Sequence, residues 1–420
     1  MFVKFVSRSD RRAGRAHTPG SAFIALFALD SLARSTLVTI IPLQAYALLG
    51  DAQKVSFLYF LVSAAGLSGS MLVPWLVRKI RHHRTLILGS CCMAVSTVFL
   101  SQHSLIWFAP GLALQMFGAA TVVICLNLYV LRHVPRDDFT RFEPVRILFA
   151  GGAWVIGPAL GVYLQEHVAI WVPYTAAAVF SLTQLAYFLW MRVEGGQDEI
   201  SAAGPHASPV RFIRRYFSQP RLILAWLLSV TRAGWWGLFY IFGPIYIVSS
   251  GLSAETSGLV SSAGSAGMLT VVLWGWVGRR IGIRNLFMLG YTLAGVLTLL
   301  VAMTTGYPWI GAVLLIAAAA GTSIIDSGGN VPFLRAVRPR ERSEMTTVYA
   351  TYRDASRFSF PALYSLLLLV FPLPVVFLAS GSVMLVLSQC ARKLPRSLGR
   401  EGRKSAFAQQ ANLSRQDGKT

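Results

Sequence analysis

Long, nearly uninterrupted apolar runs constrain this chain more than any other feature. Twelve segments carry few charges: 21–48, 55–77, 85–101, 107–131, 143–165, 168–191, 220–249, 256–278, 285–303, 308–334, 345–370 and 373–391. Each is about long enough for a helix to cross the ~30 Å hydrocarbon core of a bilayer. Lipid offers no partner to a bare N–H or C=O, so such segments fold as helices that satisfy their own backbone. The composition agrees, with 55% of the 420 residues hydrophobic and 13% charged, about half the charged share of a soluble protein. The expected fold class is all-α integral membrane with twelve transmembrane helices. A disordered chain is excluded, and a soluble enzyme is argued against.

The formal net charge of +21 would suit nucleic acid or anionic lipid as a partner, and its distribution decides. Of the 38 Lys and Arg residues, 33 fall in the two tails and in or at the edge of every second gap between apolar runs, Arg146 and Arg221 standing just inside their spans. The other gaps hold Lys54 alone, and Arg34, Arg232, Arg353 and Arg357 lie inside expected spans. A nucleic-acid domain would gather its basic residues into one patch. The partner is therefore the lipid bilayer and not nucleic acid, and the charge bias places both termini in the cytosol. Residues 1–20 lack the apolar core of a cleavable signal peptide, so the first span is expected to remain as an anchor. The four cysteines sit in apolar stretches, at spacings that give neither a disulfide framework nor a metal site. No metal and no cofactor is expected.

One long polar interruption, 192–219, reads as a flexible cytosolic linker. It separates apolar regions of near-equal length, 21–191 and 220–391, between a tail over 1–20 and another over 392–420. The two regions repeat each other at an offset near 201. Trp75-Leu76-Val77-Arg78-Lys79-Ile80 matches Trp276-Val277-Gly278-Arg279-Arg280-Ile281, and Leu88-Gly89 matches Leu289-Gly290. Pro42 matches Pro244, Pro173 matches Pro374, and Pro158-Ala159-Leu160 matches Pro361-Ala362-Leu363. Chance apolar similarity would not keep prolines and a basic loop in register, so two six-helix halves related by duplication are expected.

Six plus six spans, a central linker and a basic loop after the second span of each half resemble the major facilitator superfamily over residues 20–391. That family's loop usually reads Gly-x-Leu-x-Asp-Arg-x-Gly-Arg-Lys/Arg. The copy over Gly275–Arg284 places Arg279 at the acidic position, and the poorer copy from Pro74 to His83 places Arg78 there. Gly157-Pro158-Ala159-Leu160-Gly161 resembles the Gly-Pro-x-x-Gly element of the family's antiporters, and it reads equally as a kink with close helix packing. The resemblance implies two pseudo-symmetric six-helix bundles rocking about a midplane site. A monomeric protein in the plasma membrane is expected, the bacterial inner membrane from the excess of 32 Arg over 6 Lys. The resemblance names no substrate.

Charges inside the membrane cost at least ~2.5–3.5 kcal/mol on insertion scales, so they are usually functional, paired or facing water. Counting 1.5 Å per helical residue, Arg34 and Arg232 lie near the middle of the first and seventh spans. The repeat maps Arg34 to about position 235, one turn from Arg232. In the resembling family these helices line the cavity, which makes the two arginines candidates for an anion site, since guanidinium stays charged and forks onto carboxylate or phosphate. For Arg34 the alternative is an intrahelical pair with Asp30 at i,i+4. Arg232 has no acid within one turn. Asp30 and Asp326 are the proton-coupling candidates; the alternative for Asp326 is a hydrogen bond with Asn330. Trp235, Trp236 and Tyr240 are expected to wall the cavity beside Arg232, or to pack the bundle. Asn127 is a further polar candidate.

A cytosolic gate is expected from Arg78, Lys79, Arg279 and Arg280 facing Asp137, Asp138 and Glu341, with Arg353, Asp354 and Arg357 nearby. A solvated charge run is the alternative. No phosphate loop, zinc-protease or nucleophile-elbow motif occurs, so an enzyme is not expected. The expected function is secondary transport of a small organic solute, anionic or amphipathic, coupled to protons or to exchange. The alternatives are a proton-driven multidrug antiporter and a transporter-like receptor or assembly partner that moves no solute.

Overall fold

The computed structural model describes residues 20–134, 139–191, 209–304, 306–337 and 341–394. Proline and glycine set most of the interruptions in an otherwise helical chain. The first span is two helices, α1 (Gly20–Leu37) and α2 (Ile40–Leu49). Pro42 lacks the N–H that would bond the carbonyl of Val38, and its ring crowds that carbonyl, so the helix breaks there. The second and third spans run together as α3 (Ala52–Leu100). Asp51 caps its start through a 2.9 Å bond from the Gln53 N–H, and Arg81 interrupts it at φ 70°, ψ 156°. Then come α4 (Leu105–His133), α5 (Phe139–His167) and α6 (Val172–Trp190).

After residues outside the description, α7 (Pro209–Phe217) forms the end of the expected linker and leads into α8 (Pro220–Ser249). The eighth span is α9 (Ala254–Ala266), a 3-10 turn over Gly267–Thr270, and α10 (Val271–Ile281). Next are α11 (Ile283–Ala302), α12 (Pro308–Gly328), α13 (Val331–Ala336), α14 (Arg342–Ala350), α15 (Tyr352–Leu367) and α16 (Pro374–Ala391). Among the described residues, eleven segments are long and apolar enough to cross a membrane. The segment expected over 345–370 is built differently. It breaks at Thr351, and α15 has 16 residues, three of them Arg353, Asp354 and Arg357.

The repeat is visible in local geometry. Lys79 lies 4.8 Å from the Trp75 ring centroid and Arg280 lies 3.6 Å from that of Trp276, the same i,i+4 contact in the two matched basic motifs. Arg81 and Gly282, 201 positions apart, both take positive φ (70° and 88°) and end the matched helices. Gly89 is pressed against Thr121 and Val122 as Gly290 is against Gly321 and Ile325.

By packing, the described residues fall into two units. Unit 1 comprises those of Met1–Pro205, Gly237–Leu269 and Arg357–Leu373; unit 2 comprises those of His206–Trp236, Thr270–Ser356 and Pro374–Thr420. This partition differs from that of the sequence repeat, because two stretches of the second half pack within unit 1. There α5 and α9 run antiparallel in close contact. His167 Nδ1 stands 3.3 Å from Glu255 Oε1, and the Ala159 N–H donates to Ser262 Oγ at 2.9 Å. A Cβ on Gly258 would come within 3.1 Å of the Pro158 carbonyl, so these backbones meet directly. In the same unit Ser56 Oγ donates to the Pro361 carbonyl at 2.8 Å, and the Phe60 and Phe358 rings lie 4.9 Å apart. Near the 101–104 turn, Gln44 Nε2 donates to the Leu100 carbonyl at 2.7 Å and Tyr174 donates to Gln44 Oε1 at 2.5 Å. Burial holds the His103 imidazole there below its ordinary value.

Candidate functional site

The Gly-Pro-x-x-Gly element sets the first half of the site. A Cβ on Gly157 would collide with Ser35, and one on Gly161 with the carbonyl of Thr36, so α5 lies directly on α1. The close-packing reading of that element is what the geometry shows. Ser35 Oγ then donates to the Ala153 carbonyl at 2.9 Å. This contact brings the next residue of α5, Trp154, alongside Arg34.

Arg34 occupies the last turn of α1, where the helix dipole favours a cation. Its Nη2 is 2.7 Å from Asp30 Oδ2, the i,i+4 pair. The Asp30 side chain is wholly buried and that of Arg34 is 26% exposed. Asp30 Oδ1 and Arg34 Nε have no hydrogen-bond partner, which leaves capacity at a buried charge pair. The Arg34 guanidinium carbon lies 5.9 Å from the Trp154 ring centroid. Trp154 in turn meets Tyr240, with centroids 5.1 Å apart and planes tilted by 49°. The Tyr240 hydroxyl is fixed by Ser265 Oγ at 2.8 Å. All of these residues belong to unit 1.

Unit 2 holds a second pair. Arg232 Nη1 on α8 lies 3.1 Å from Asp326 Oδ1 on α12. Trp236 Nε1 donates to the other carboxylate oxygen at 3.0 Å, so both oxygens are engaged. Asp326 sits in the final turn of α12, where the helix dipole disfavours an anion, and the arginine and indole offset that. The side chains are 12% and 22% exposed. Tyr352 lies under Arg232 with its centroid 5.9 Å from the guanidinium carbon. Tyr349 packs on Tyr352 and Phe333, donates to Asn330 Oδ1 at 3.0 Å and accepts from Ser229 Oγ at 2.5 Å. Asn330 is thus engaged with Tyr349, while Asp326 is engaged with Arg232.

The remaining expected residues are placed as follows. Trp235 is fully buried and donates to Thr298 Oγ1 on α11 at 2.9 Å, so it packs the bundle. Asn127 is exposed on α4. Arg78, Lys79, Arg279 and Arg280 are exposed, and Lys79 and Arg280 lie over tryptophans of their own helices. Glu341 pairs with Arg215 of α7. Arg353 Nε donates to the Tyr352 hydroxyl at 3.1 Å, Arg357 is exposed and Asp354 half-buried. Asp137 and Asp138 lie outside the described residues. Trp154 was not among the expected residues. Its spacing was the available signal, since 154, 157 and 161 share one face of α5, the face that the two glycines turn to α1. Among the described residues no group of three His, Cys, Asp or Glu side chains could hold a metal ion.

The fold is similar to that of several solved transporters. A POT family transporter in complex with 5-aminolevulinic acid superposes with a TM-score of 0.72 at 12% identity, covering 88% of this chain and 94% of that one. The nucleoside transporter NupG gives 0.70 at 14% identity, with 89% and 98% covered. The peptide transporter POT in complex with sulfate gives 0.69 at 12%, with 88% and 93% covered. No curated protein matches this sequence. The sequence pattern described as Major Facilitator Superfamily matches residues 23–361. With its helical membrane fold, its repeat and that match, the chain belongs to the major facilitator superfamily, whose members are transporters rather than enzymes.

Proposed function

We propose that this chain couples the movement of a small organic anion to that of a proton, from the plasma membrane and with both termini in the cytosol. The observation that carries the reading is the Asp30–Arg34 pair: a wholly buried carboxylate with one oxygen unpartnered, beside a part-exposed guanidinium with an unused Nε.

The physical argument concerns competition. Guanidinium stays protonated throughout, so the variable charge is that of Asp30. An anion arriving at Arg34 while Asp30 is ionised stands roughly 4 Å from a like charge, a repulsion of about 4 kcal/mol at an effective dielectric near 20. Uptake of a proton by Asp30 removes that repulsion and releases the guanidinium. Proton and anion are thereby bound together, and anion affinity rises as pH falls. Two fold neighbours were solved with sulfate and with 5-aminolevulinic acid, which is in keeping with an acidic solute.

The test is flux in vesicles reconstituted with the purified chain, over a panel of dicarboxylates, phosphate monoesters and aromatic acids. The wild type should accumulate at least one of these under an inward proton gradient. Asp30→Asn should lose the pH response while retaining exchange of labelled for unlabelled solute, and Arg34→Gln should lose both. An Asp30→Asn protein with the full pH response would remove the coupling role.

A further inference from the structure

The two arginine sites differ in what they leave open, and the difference points to a class of solute. In unit 2 both Asp326 oxygens are engaged, and Arg232 is the less exposed of the two arginines. In unit 1 Arg34 keeps an unused Nε. Its guanidinium also stands well off the neighbouring indole. The Arg280–Trp276 contact shows what a closed cation–π pair looks like in this protein, at 3.6 Å, whereas Arg34 stands 5.9 Å from the Trp154 centroid. Asp30 holds the guanidinium at the outer limit of cation–π range, and Trp154 is itself part-exposed. Tyr240 meets that indole at 49°, anchored through its hydroxyl to Ser265, so it supplies a fixed second ring.

We infer that Arg34, Trp154 and Tyr240 form a subsite for an aromatic carboxylate, its acid group on the guanidinium and its ring on Trp154. This rests on the reading above that Arg34 receives an anion. The carboxylate suits the planar fork of arginine, and a flat ring gains a stacking interaction that a saturated ring of similar size does not. The short span between guanidinium and indole requires acid group and ring to be adjacent, which excludes long-chain fatty acids. Arg232 plays no part in this subsite.

Isothermal titration of the detergent-purified chain at mildly acidic pH tests the assignment, with benzoate, 2-naphthoate, cyclohexanecarboxylate and benzylamine as probes. The expected result is that 2-naphthoate binds about tenfold more tightly than cyclohexanecarboxylate. Trp154→Ala should bring that ratio close to one, Trp154→Phe should keep most of it, and Arg34→Gln should abolish binding of every acid. A purely structural role for Trp154 would lower affinity for all acids alike and leave the ratio unchanged, which would overturn the aromatic subsite. Equal binding of both ring types, still lost in Arg34→Gln, would also overturn it while leaving the anion site standing. Acid binding that survives Arg34→Gln, tight benzylamine binding, or no binding of any acid would overturn both.

Discussion

Replacing Arg232 by Gln and Asp326 by Asn, singly and together, tests whether charges inside these helices are tolerated because they are paired. Arg232→Gln leaves a carboxylate, 22% exposed, in the last turn of α12, with only the Trp236 N–H for compensation. Asp326→Asn leaves a cation, 12% exposed, that keeps only its aromatic contact with Tyr352. Breaking a buried pair from one side costs about 3–5 kcal/mol, mostly as the penalty on the partner left behind. The double variant has no such orphan, and its two amides can bond each other. It should therefore be no less stable than the worse single, which makes the coupling between the positions at least about 3 kcal/mol. Unfolding in mixed micelles titrated with dodecyl sulfate, followed by tryptophan fluorescence and secondary-structure content, gives the three differences. Effects of the singles that add to within ~0.5 kcal/mol would mean that the two side chains are solvated independently. The pairing argument would then fail for unit 2 and be weakened for unit 1.

Two further predictions concern backbone conformation and packing. Arg81 holds φ 70°, ψ 156°, a region that strains any residue with a Cβ by about 1–3 kcal/mol, whereas its repeat counterpart is Gly282. Arg81→Gly should stabilise the protein by about 1 kcal/mol after glycine's entropic cost, and Gly282→Ala should destabilise it by a similar amount; opposite signs in the same unfolding assay would refute the assignment. Gly161→Ala drives a Cβ into the Thr36 carbonyl and should cost about 2 kcal/mol or more by overpacking, with a loss of transport that Gly152→Ala, placed where nothing lies within 4 Å, does not share.

The spans were legible because hydropathy along the chain is a one-dimensional signal, and lipid enforces it. Where a span departs from that signal, the structure departs from the expectation. The 345–370 segment carries Arg353, Asp354 and Arg357, and it divides at Thr351. The Asp30–Arg34 pair could be read because its members are one turn apart on one helix. The partner of Arg232 could not, since Asp326 lies 94 positions along the chain and nothing local says which helices meet. Asn330 sits one turn beyond Asp326 in sequence and looked like its partner. The Gly328-Gly329 break, with Gly329 at φ 44°, ends the helix before that turn completes. Trp235 and Trp236 looked alike in sequence, yet 100° of helical rotation separates a core residue bonded to Thr298 from one bonded to Asp326.

The duplication makes the placement of these charges informative. A faithful repeat would carry the same pair twice, but the halves differ: Asp30 and Arg34 lie on one helix, whereas Arg232 and Asp326 join α8 to α12. An intrahelical pair can open by rotating two side chains while the backbone stays in place, so it can respond to a proton or an anion without a conformational change. A pair between helices also ties those helices together, so its energy opposes their separation. On the proposed function, the first pair is the one that senses solute and proton, and the second sets the stiffness of unit 2. Chemical specificity then resides beside Arg34, where hydrogen-bonding capacity is unspent and the aromatic wall of Trp154 and Tyr240 stands. Arg232, the more obvious candidate because its own helix offers no acid, faces a carboxylate whose two oxygens are both engaged.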